Sequence, residues 1–343
     1  MKADRFEAIA QQYLGLRIAV VGDFCLDRYL EIDPSIPETS IETGLPVHNV
    51  TNVRAQPGGA GTVLNNLVAL GVAQIFPVGF AGDDGEGYEL RRSLAEMNGV
   101  ELNYFLQTRT RRTFTYCKPL IVEAGHPPRE LNRLDQKNWT PTPAVIAEQL
   151  SANVIAVAEK VDALILLGQA SQQETGVLTR RVLEALKTVA HAHPQRLILA
   201  DSRRSLREYP PAIFKMNATE LSAYCGTKAS ASVGEISNAA LTLAQNNRQP
   251  VFVTLAERGI VGASPDGRME HLPALPLRGE VDIVGAGDAV SANLTAALVA
   301  GATLREAIEL ANGAGSIVIH QLGTTGTASV EQLRKLLAAS LPD

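Results

Sequence analysis

Apolar and polar positions follow two rhythms along this chain, and each change of rhythm marks an element. Arg17 to Asp23 (RIAVVGD) is a short β-branched run closing on Gly-Asp, the form of a buried parallel strand whose carboxyl end opens onto a site. From Tyr29 to Pro57 no helical period survives, because Pro34, Pro37 and Pro46 interrupt short extended pieces; these read as strands and turns outside the main sheet. Pro57-Gly58-Gly59-Ala60-Gly61 then opens a helix with Val63, Leu64, Leu67, Val68 and Gly71 on one face. Gln74 to Gly82 is the next strand, and Asp83-Asp84-Gly85 caps a helix around Tyr88 to Met97. A second departure runs from Glu101 to Asp135, where LNYFLQ and TFTYCKPLIV alternate like half-exposed strands. Two extended insertions in such a chain suggest one small sheet covering the mouth of a site as a lid.

From Thr140 the rhythm is regular. A helix (Pro143 to Lys160), a strand (Asp162 to Gly168), a helix (Glu174 to His191), a strand (Arg196 to Ser202) and a short strand into Asn217 make successive crossover units. Pro250 to Ser264 and Arg268 to Ala274 read as the strands that end the sheet. They lead into Val281 to Gly301, where Val290, Leu294, Ala297 and Leu298 share one face of a helix beginning near Asp288.

The chemistry gathers where strands end and helices begin. Gly285-Ala286-Gly287 precedes that last helix, and a turn without bulky side chains at a helix start presents unpaired N–H groups and a partial positive charge, an anion site. Asp288 falls in the first turn, either as an ordinary cap or as a carboxylate facing the anion, a placement that makes sense if it handles a proton. Asp27, just after the first strand, is a solvated acid or an acceptor for sugar hydroxyls. The small residues around Gly58 and Gly59 serve close helix packing or close approach of a ligand. Asp201, Asn217 and Glu220 sit at strand ends on the ligand side of an open sheet. Asn217 and Glu220 have the form of a capping box, and an amide and a carboxylate one turn apart can equally hold waters of hydrated Mg²⁺. Ala311 to Ser316, including Asn312, is a run of small residues suited to helix packing or to a shallow groove for adenine. The cluster Arg109, Arg111 and Arg112 reads as a solvated loop, with a phosphorylated substrate as the other reading.

Composition narrows the class. A net charge of −5 over 343 residues argues against a general nucleic-acid or anionic-membrane binder. Cys25, Cys117 and Cys225 are odd in number and in no CxxC pattern, which suits free thiols in a reducing cytoplasm. No apolar run reaches membrane-spanning length, and Met1 to Gln12 lacks the apolar core of a signal peptide; the expectation is a cytoplasmic protein.

In order and spacing these segments resemble the ribokinase-like sugar kinases, the PfkB family, over nearly the whole chain. GDFCLD resembles the first-strand segment with its substrate aspartate, here Asp27, and PGGAGTVLNNLVALG the glycine-pair helix. FKMNATE resembles the N-x-x-E motif, giving Asn217 and Glu220, and VTLAERG, with Thr254, the strand before the nucleotide site. DIVGAGD resembles the signature usually written D-T-x-G-A-G-D, the most specific match. NRLDQ, ADSRRSLREYPPAIFKMNATE and QLGTTGTAS resemble, within the family, the kinase domain that phosphorylates heptose 7-phosphate. Ile283 stands where the signature has Thr or Pro, Ala256 replaces a common glycine, and Thr62 takes the place of an asparagine that often contacts the sugar.

The resemblance implies an α/β fold, a ribokinase-like three-layer sandwich with a mainly parallel central sheet and a small β-sheet lid. Residues 1–343 would form a single kinase domain, with the lid at approximately 29–57 and 101–135. It implies an ATP-dependent kinase acting on a sugar or sugar phosphate, with Asp288 as base and Gly285, Ala286 and Gly287 facing the phosphate. Asp27, Gly58, Gly59 and Thr62 would meet the sugar; Asn217, Glu220, Thr254 and Asn312 would serve the nucleotide. Mg²⁺ would be ordered through water by Asn217 and Glu220, and Asp282 marks a neighbourhood for a monovalent cation, commonly K⁺. Unpaired lid edges favour a homodimer. Two other classes compete. A nicotinamide oxidoreductase lacks its G-x-G-x-x-G after the first strand, where GDFCLD stands. A non-catalytic sugar or nucleotide sensor on a kinase scaffold has no need of an intact Asp288.

Overall fold

The computed structural model describes residues 1–226, 228 and 231–339, so the rest of the expected range 1–343 lies outside the described residues. A nine-stranded sheet forms the frame. Its order is Met269–Leu272, Ile260–Ala263, Val251–Thr254, Ile213–Asn217, Leu197–Ser202, Ala163–Gly168, Arg17–Gly22, Gln74–Gly82 and Phe105–Thr108. Pairing is parallel from Val251–Thr254 to Phe105–Thr108. The two strands at the other edge run antiparallel.

The apolar runs are continuous because both faces are covered. Ile18 and Val20 point into one core, with helices Ala60–Ala69, Ala286–Val299 and Leu304–Val318. Ala19 and Val21 point into the other, with helices Ala144–Ala158, Arg180–Ala192 and Val233–Asn247. The result is the expected three-layer sandwich. Helices Ala3–Tyr13, Val233–Asn247 and Val330–Ala339 are additional to those read from the pattern. The second of these is legible after the fact, since Ser232 and Glu235 form a capping box at its start.

Helix Ala286–Val299 differs from the expectation of one apolar face. Every residue from Ala289 to Ala297 is buried, the helix lying between the sheet and helices Ala60–Ala69 and Leu304–Val318. Its short polar residues tolerate this by bonding back one turn: Asn293 Nδ2 donates to the Ala289 carbonyl and Thr295 Oγ1 to the Ser291 carbonyl, each at 2.9 Å. Truncating Leu294→Ala in this packed layer is expected to cost about 2–5 kcal/mol. Urea unfolding would show a lowered midpoint at unchanged slope.

A second sheet runs Leu134–Gln136, Phe114–Ile121, Phe24–Ile32, Val50–Gly59, with Arg129–Glu130 paired to Phe114–Ile121. Its boundaries depart from the expected 29–57 and 101–135 in two places. The sheet begins at Phe24, so Asp27 belongs to it. LNYFLQ does not: Leu102–Tyr104 is a 3-10 turn and Phe105–Thr108 pairs with Gln74–Gly82 in the large sheet. Burial decides this, since Phe105 is 5 % exposed and packs edge-on against Phe24 with ring centroids 5.2 Å apart. Alternation read over six residues could not reveal which sheet the strand joins. No helix among the described residues is long and apolar enough to cross a membrane.

The first strand, Arg17–Gly22, lies inside the large sheet, third from one edge, and later strands are added on both sides of it. The strand order therefore reverses between that strand and Ala163–Gly168, and the crevice outside their carboxyl ends is where open α/β sheets bind ligands.

Candidate active site

Strand Phe24–Ile32 carries Asp27 into that crevice at 6 % exposure. The neighbouring strand makes room for it: a Cβ on Gly58 would fall 2.7 Å from the Asp27 carboxyl carbon. Thr325 Oγ1 donates to Asp27 Oδ2 at 3.3 Å. Burial pushes the Asp27 carboxyl up from the ordinary range, and Lys118 opposes it. Thr62, on helix Ala60–Ala69, is 1 % exposed and its hydroxyl has no partner among the described residues. A buried hydroxyl with nothing to bond is costly, and one on a cavity wall is suited to a ligand's polar group.

The glycine turn closes the opposite wall. Gly285 has φ +82°, and a Cβ there would sit 2.7 Å from Thr325 Cγ2, so backbone conformation and space both require glycine. The Ala286 amide turns back on the Ile283 carbonyl at 3.3 Å. Among the described residues the amides of Gly287 and Asp288 have no acceptor, as the first turn of a helix dictates. Asp288 keeps part of its surface open to the cavity while lying deep below the protein surface. Its pKa is pushed up to about 7, first by burial, then by the Asp201 carboxylate; Lys215 and Arg203 pull it back.

One cavity of about 390 Å³ joins these groups. Asp27, Gly59, Thr62, Glu220, Gly285, Gly287 and Asp288 all line it. So do residues that the pattern did not single out: Tyr116, Lys118, Arg133, Arg203 and Lys215. The strand-end rule that pointed to Asp201 also covers Arg203, two residues further on. Lys215 and Arg133 gave no such signal. Gly58 lies behind Asp27. Ala286, Asn217, Asp282, Thr254 and Asn312 are not brought to this cavity.

Their side chains have local duties. Asn217 Oδ1 accepts from the Glu220 amide at 2.9 Å while Glu220 Oε2 accepts from the Asn217 amide at 2.7 Å, a reciprocal capping box. Thr254 Oγ1 faces the Met216 carbonyl at 3.5 Å, and Asn312 Nδ2 donates to the Pro273 carbonyl at 2.9 Å. Asp282 Oδ1 accepts from the Val284 amide at 3.0 Å. The arginine cluster also lies elsewhere: Arg109 pairs with Asp83 at 2.9 Å, and Arg111 is buried on the carbonyls of Thr140 and Pro141.

A smaller cavity of about 220 Å³ adjoins the first and shares Tyr116, Arg133, Gln169 and Arg203 with it. Lys137, Trp139 and Arg204 complete a strongly basic wall. Lys137 Nζ and Arg133 Nε share Asp135, at 3.2 and 3.1 Å, whereas Arg203 and Arg204 have no ion-pair partner within 4.0 Å among the described residues. The facing loop is pinned by buried Asp23, whose carboxylate accepts from the amides of Gln169 and Ala170, both at 2.8 Å, and Val177 at 2.6 Å. Burial pushes the Asp23 carboxyl up and these three amides pull it down.

Residues 17–331 match the pfkB family carbohydrate kinases. The chain belongs to that family. This pfkB kinase is 30 % identical over 337 residues to "Bifunctional protein HldE" of Bradyrhizobium sp. (strain ORS 278), covering 97 % of this chain and 65 % of that protein. It thus spans about two thirds of that relative's length. Among solved structures, Arabidopsis thaliana ribokinase complexed with ribose and ATP superposes with TM-score 0.66 at 20 % identity, covering 94 % of this chain and 98 % of that one. Phosphofructokinase-2 from Escherichia coli in complex with potassium gives 0.69 at 20 % identity, covering 94 % and 99 %. These likenesses carry the ribokinase-like fold. Family membership makes the chain a sugar kinase and removes the nicotinamide oxidoreductase.

Proposed function

We propose that this pfkB kinase moves the γ-phosphoryl group of ATP to a hydroxyl of a sugar phosphate, a heptose phosphate being the candidate its resemblances favour. The observation that carries the reading is the meeting, in one cavity, of a carboxyl with pKa about 7, two free helix-start amides and the buried Asp27 and Thr62. Asp27 and the unpartnered Thr62 hydroxyl hold the acceptor, and Asp288 takes the proton from its attacking hydroxyl. With Gly285 shaping the turn, the amides of Gly287 and Asp288 face the charge that develops on the transferring group, each such donor being worth roughly 3 kcal/mol of barrier. Phosphoryl transfer asks the protein for position and charge more than covalent work.

The donor set fits ATP with Mg²⁺ held mainly by phosphates and water. Among the described residues no three His, Cys, Asp or Glu side chains converge as a metal cage, and Glu220, steadied by Asn217, reaches the cavity wall to order metal-bound water. When bound, Mg²⁺ neutralises phosphate charge. Thr254 and Asn312, outside the cavity, would border the adenosine. K⁺ beside Asp282 draws support from the potassium complex of the E. coli neighbour.

The smaller cavity suits the phosphate that the acceptor already carries, because Arg203 and Arg204 stand beside the acceptor site with no direct ion-pair partner among the described residues, while Asp288 and Asp23, acids on which they act through space, lie deep below the protein surface. Arg204→Ala is expected to raise KM for a sugar phosphate roughly ten-fold with kcat held. The chain's single tryptophan, Trp139, lies on that wall, so its fluorescence should titrate with sugar phosphate and not with the free sugar. The small sheet acts as the lid of a single kinase domain and, through the exposed edge strand Val50–Gly59, as the contact of a homodimer. The three free thiols suit a reducing cytoplasm.

ATP consumption over a panel of sugars and sugar phosphates tests the reading. Turnover with a phosphorylated sugar supports it. Binding of ATP and sugars without turnover on any member would return the protein to the sensor class.

A further inference from the structure

Beneath the glycine turn lies a buried polar chain in which the pattern singled out only Asp201 and the proposed reaction gives no member a part. Lys215, on strand Ile213–Asn217, is 6 % exposed, and its Nζ donates to Asp201 Oδ2 at 2.8 Å. The Ser291 hydroxyl lies between that oxygen, at 3.0 Å, and the Gly287 carbonyl of the turn, at 3.1 Å, and its one proton is donated to one or the other. Ser291 is fully buried and stands one turn after Asp288 on the same helix. The ammonium lies directly under the turn, since a Cβ on Gly287 would be 3.1 Å from Lys215 Nζ. Lys215, Asp201, Gly287 and Asp288 line one cavity. Two sheet strands and the helix bearing the base thus meet at a single carboxylate oxygen.

We infer that Lys215 is a positioning residue for the reaction at Asp288, acting through Asp201 and Ser291 to fix the glycine turn and to offset the charge of Asp201. The inference rests on the reading of Asp288 as the base. A buried ion pair is weak evidence of added stability, because desolvating both charges opposes their attraction. Its value here is geometric and electrostatic. The charged groups acting on Asp288 are Asp201 and Asp27, which favour its protonated form, and Lys215 and Arg203, which favour the carboxylate. Glu220, on the helix after Lys215, lines the same cavity, and Cys25 is the nearby thiol that Asp288 in turn affects. Without Lys215, Asp201 stands uncompensated beside the base.

The test is the pH dependence of kcat in four proteins: parent, Lys215→Met, Asp201→Asn and the double variant. In Lys215→Met the acid limb should move up by about one pH unit. In Asp201→Asn it should move down, because Lys215 then acts alone. In the double variant it should return to the parent position. If Lys215→Met fails to fold, the double variant, which leaves no unpaired charge, and Asp201→Asn supply the same comparison. Coincident limbs in the variants that fold, with a parent limb present and Asp288→Asn inactive, would overturn the role of Lys215 and leave the base assignment standing. A parent without an acid limb, or an active Asp288→Asn, would instead remove the base reading and with it this inference.

Discussion

Asp288→Asn is expected to lower kcat by about 10²- to 10⁴-fold, the usual contribution of a positioned general base, while ATP binding measured by calorimetry is retained. Asn keeps the shape and loses the proton acceptor. In the parent the base works only as carboxylate, and its pKa of about 7 places the rise of activity with pH across neutrality, not near the ordinary carboxyl range. The sign for stability runs the other way. A folded-state pKa above the unfolded value means that the folded protein binds this proton more tightly. The associated stability is present below the ordinary value of 3.8 and is lost as pH rises to about 7. Above that pH the ionised, buried Asp288 is a burden on the fold. The Asn variant should therefore melt at a higher temperature than the parent at alkaline pH, with the difference vanishing in acid. Unchanged turnover in Asp288→Asn would remove the acid from the chemistry.

The second large effect is expected at the acceptor side. Asp27→Asn should reduce kcat/KM for the sugar phosphate roughly 10- to 100-fold, the weight of a hydrogen bond to a charged group, and chiefly through KM. Gly58→Ala is a companion probe. Its added methyl would meet the Asp27 carboxyl, 2.7 Å away, and displace it without removing the charge. Steady-state kinetics against acceptor at saturating ATP separates these outcomes. If both variants kept the parent KM, the sugar would not bind at Asp27.

Local chemistry made much of this legible. Short β-branched runs closing on Gly-Asp, such as RIAVVGD, favour strands covered on both faces by their length and branching, so the layered α/β plan follows from local composition and period. The glycine turn was legible because φ near +80° and free first-turn amides are properties of a few consecutive residues. The capping box of Asn217 and Glu220 is equally local.

What depended on distant parts of the chain was not legible. The Arg109 to Arg112 cluster, read first as a solvated loop, does lie away from the cavity, with Arg109 exposed as expected and Arg111 buried on distant backbone carbonyls as no local pattern shows. The basic wall is instead assembled from Arg133, Lys137, Arg203 and Arg204, contributed by two segments far apart in the chain. Nor does alternation say which sheet will hold Phe105–Thr108 or where the small sheet begins, since both depend on which neighbour buries Phe24 and Phe105. The pKa of Asp288 is likewise tertiary: burial by surrounding elements and the nearness of Asp201 set it, and no sequence spacing encodes either. The sequence by itself determined the elements, their order and the chemical types at strand ends, because these are short-range matters of period and backbone conformation. Only the tertiary structure decided which charges share a cavity and which proton is held, because solvent exclusion and Coulomb interaction act through space and are indifferent to separation along the chain.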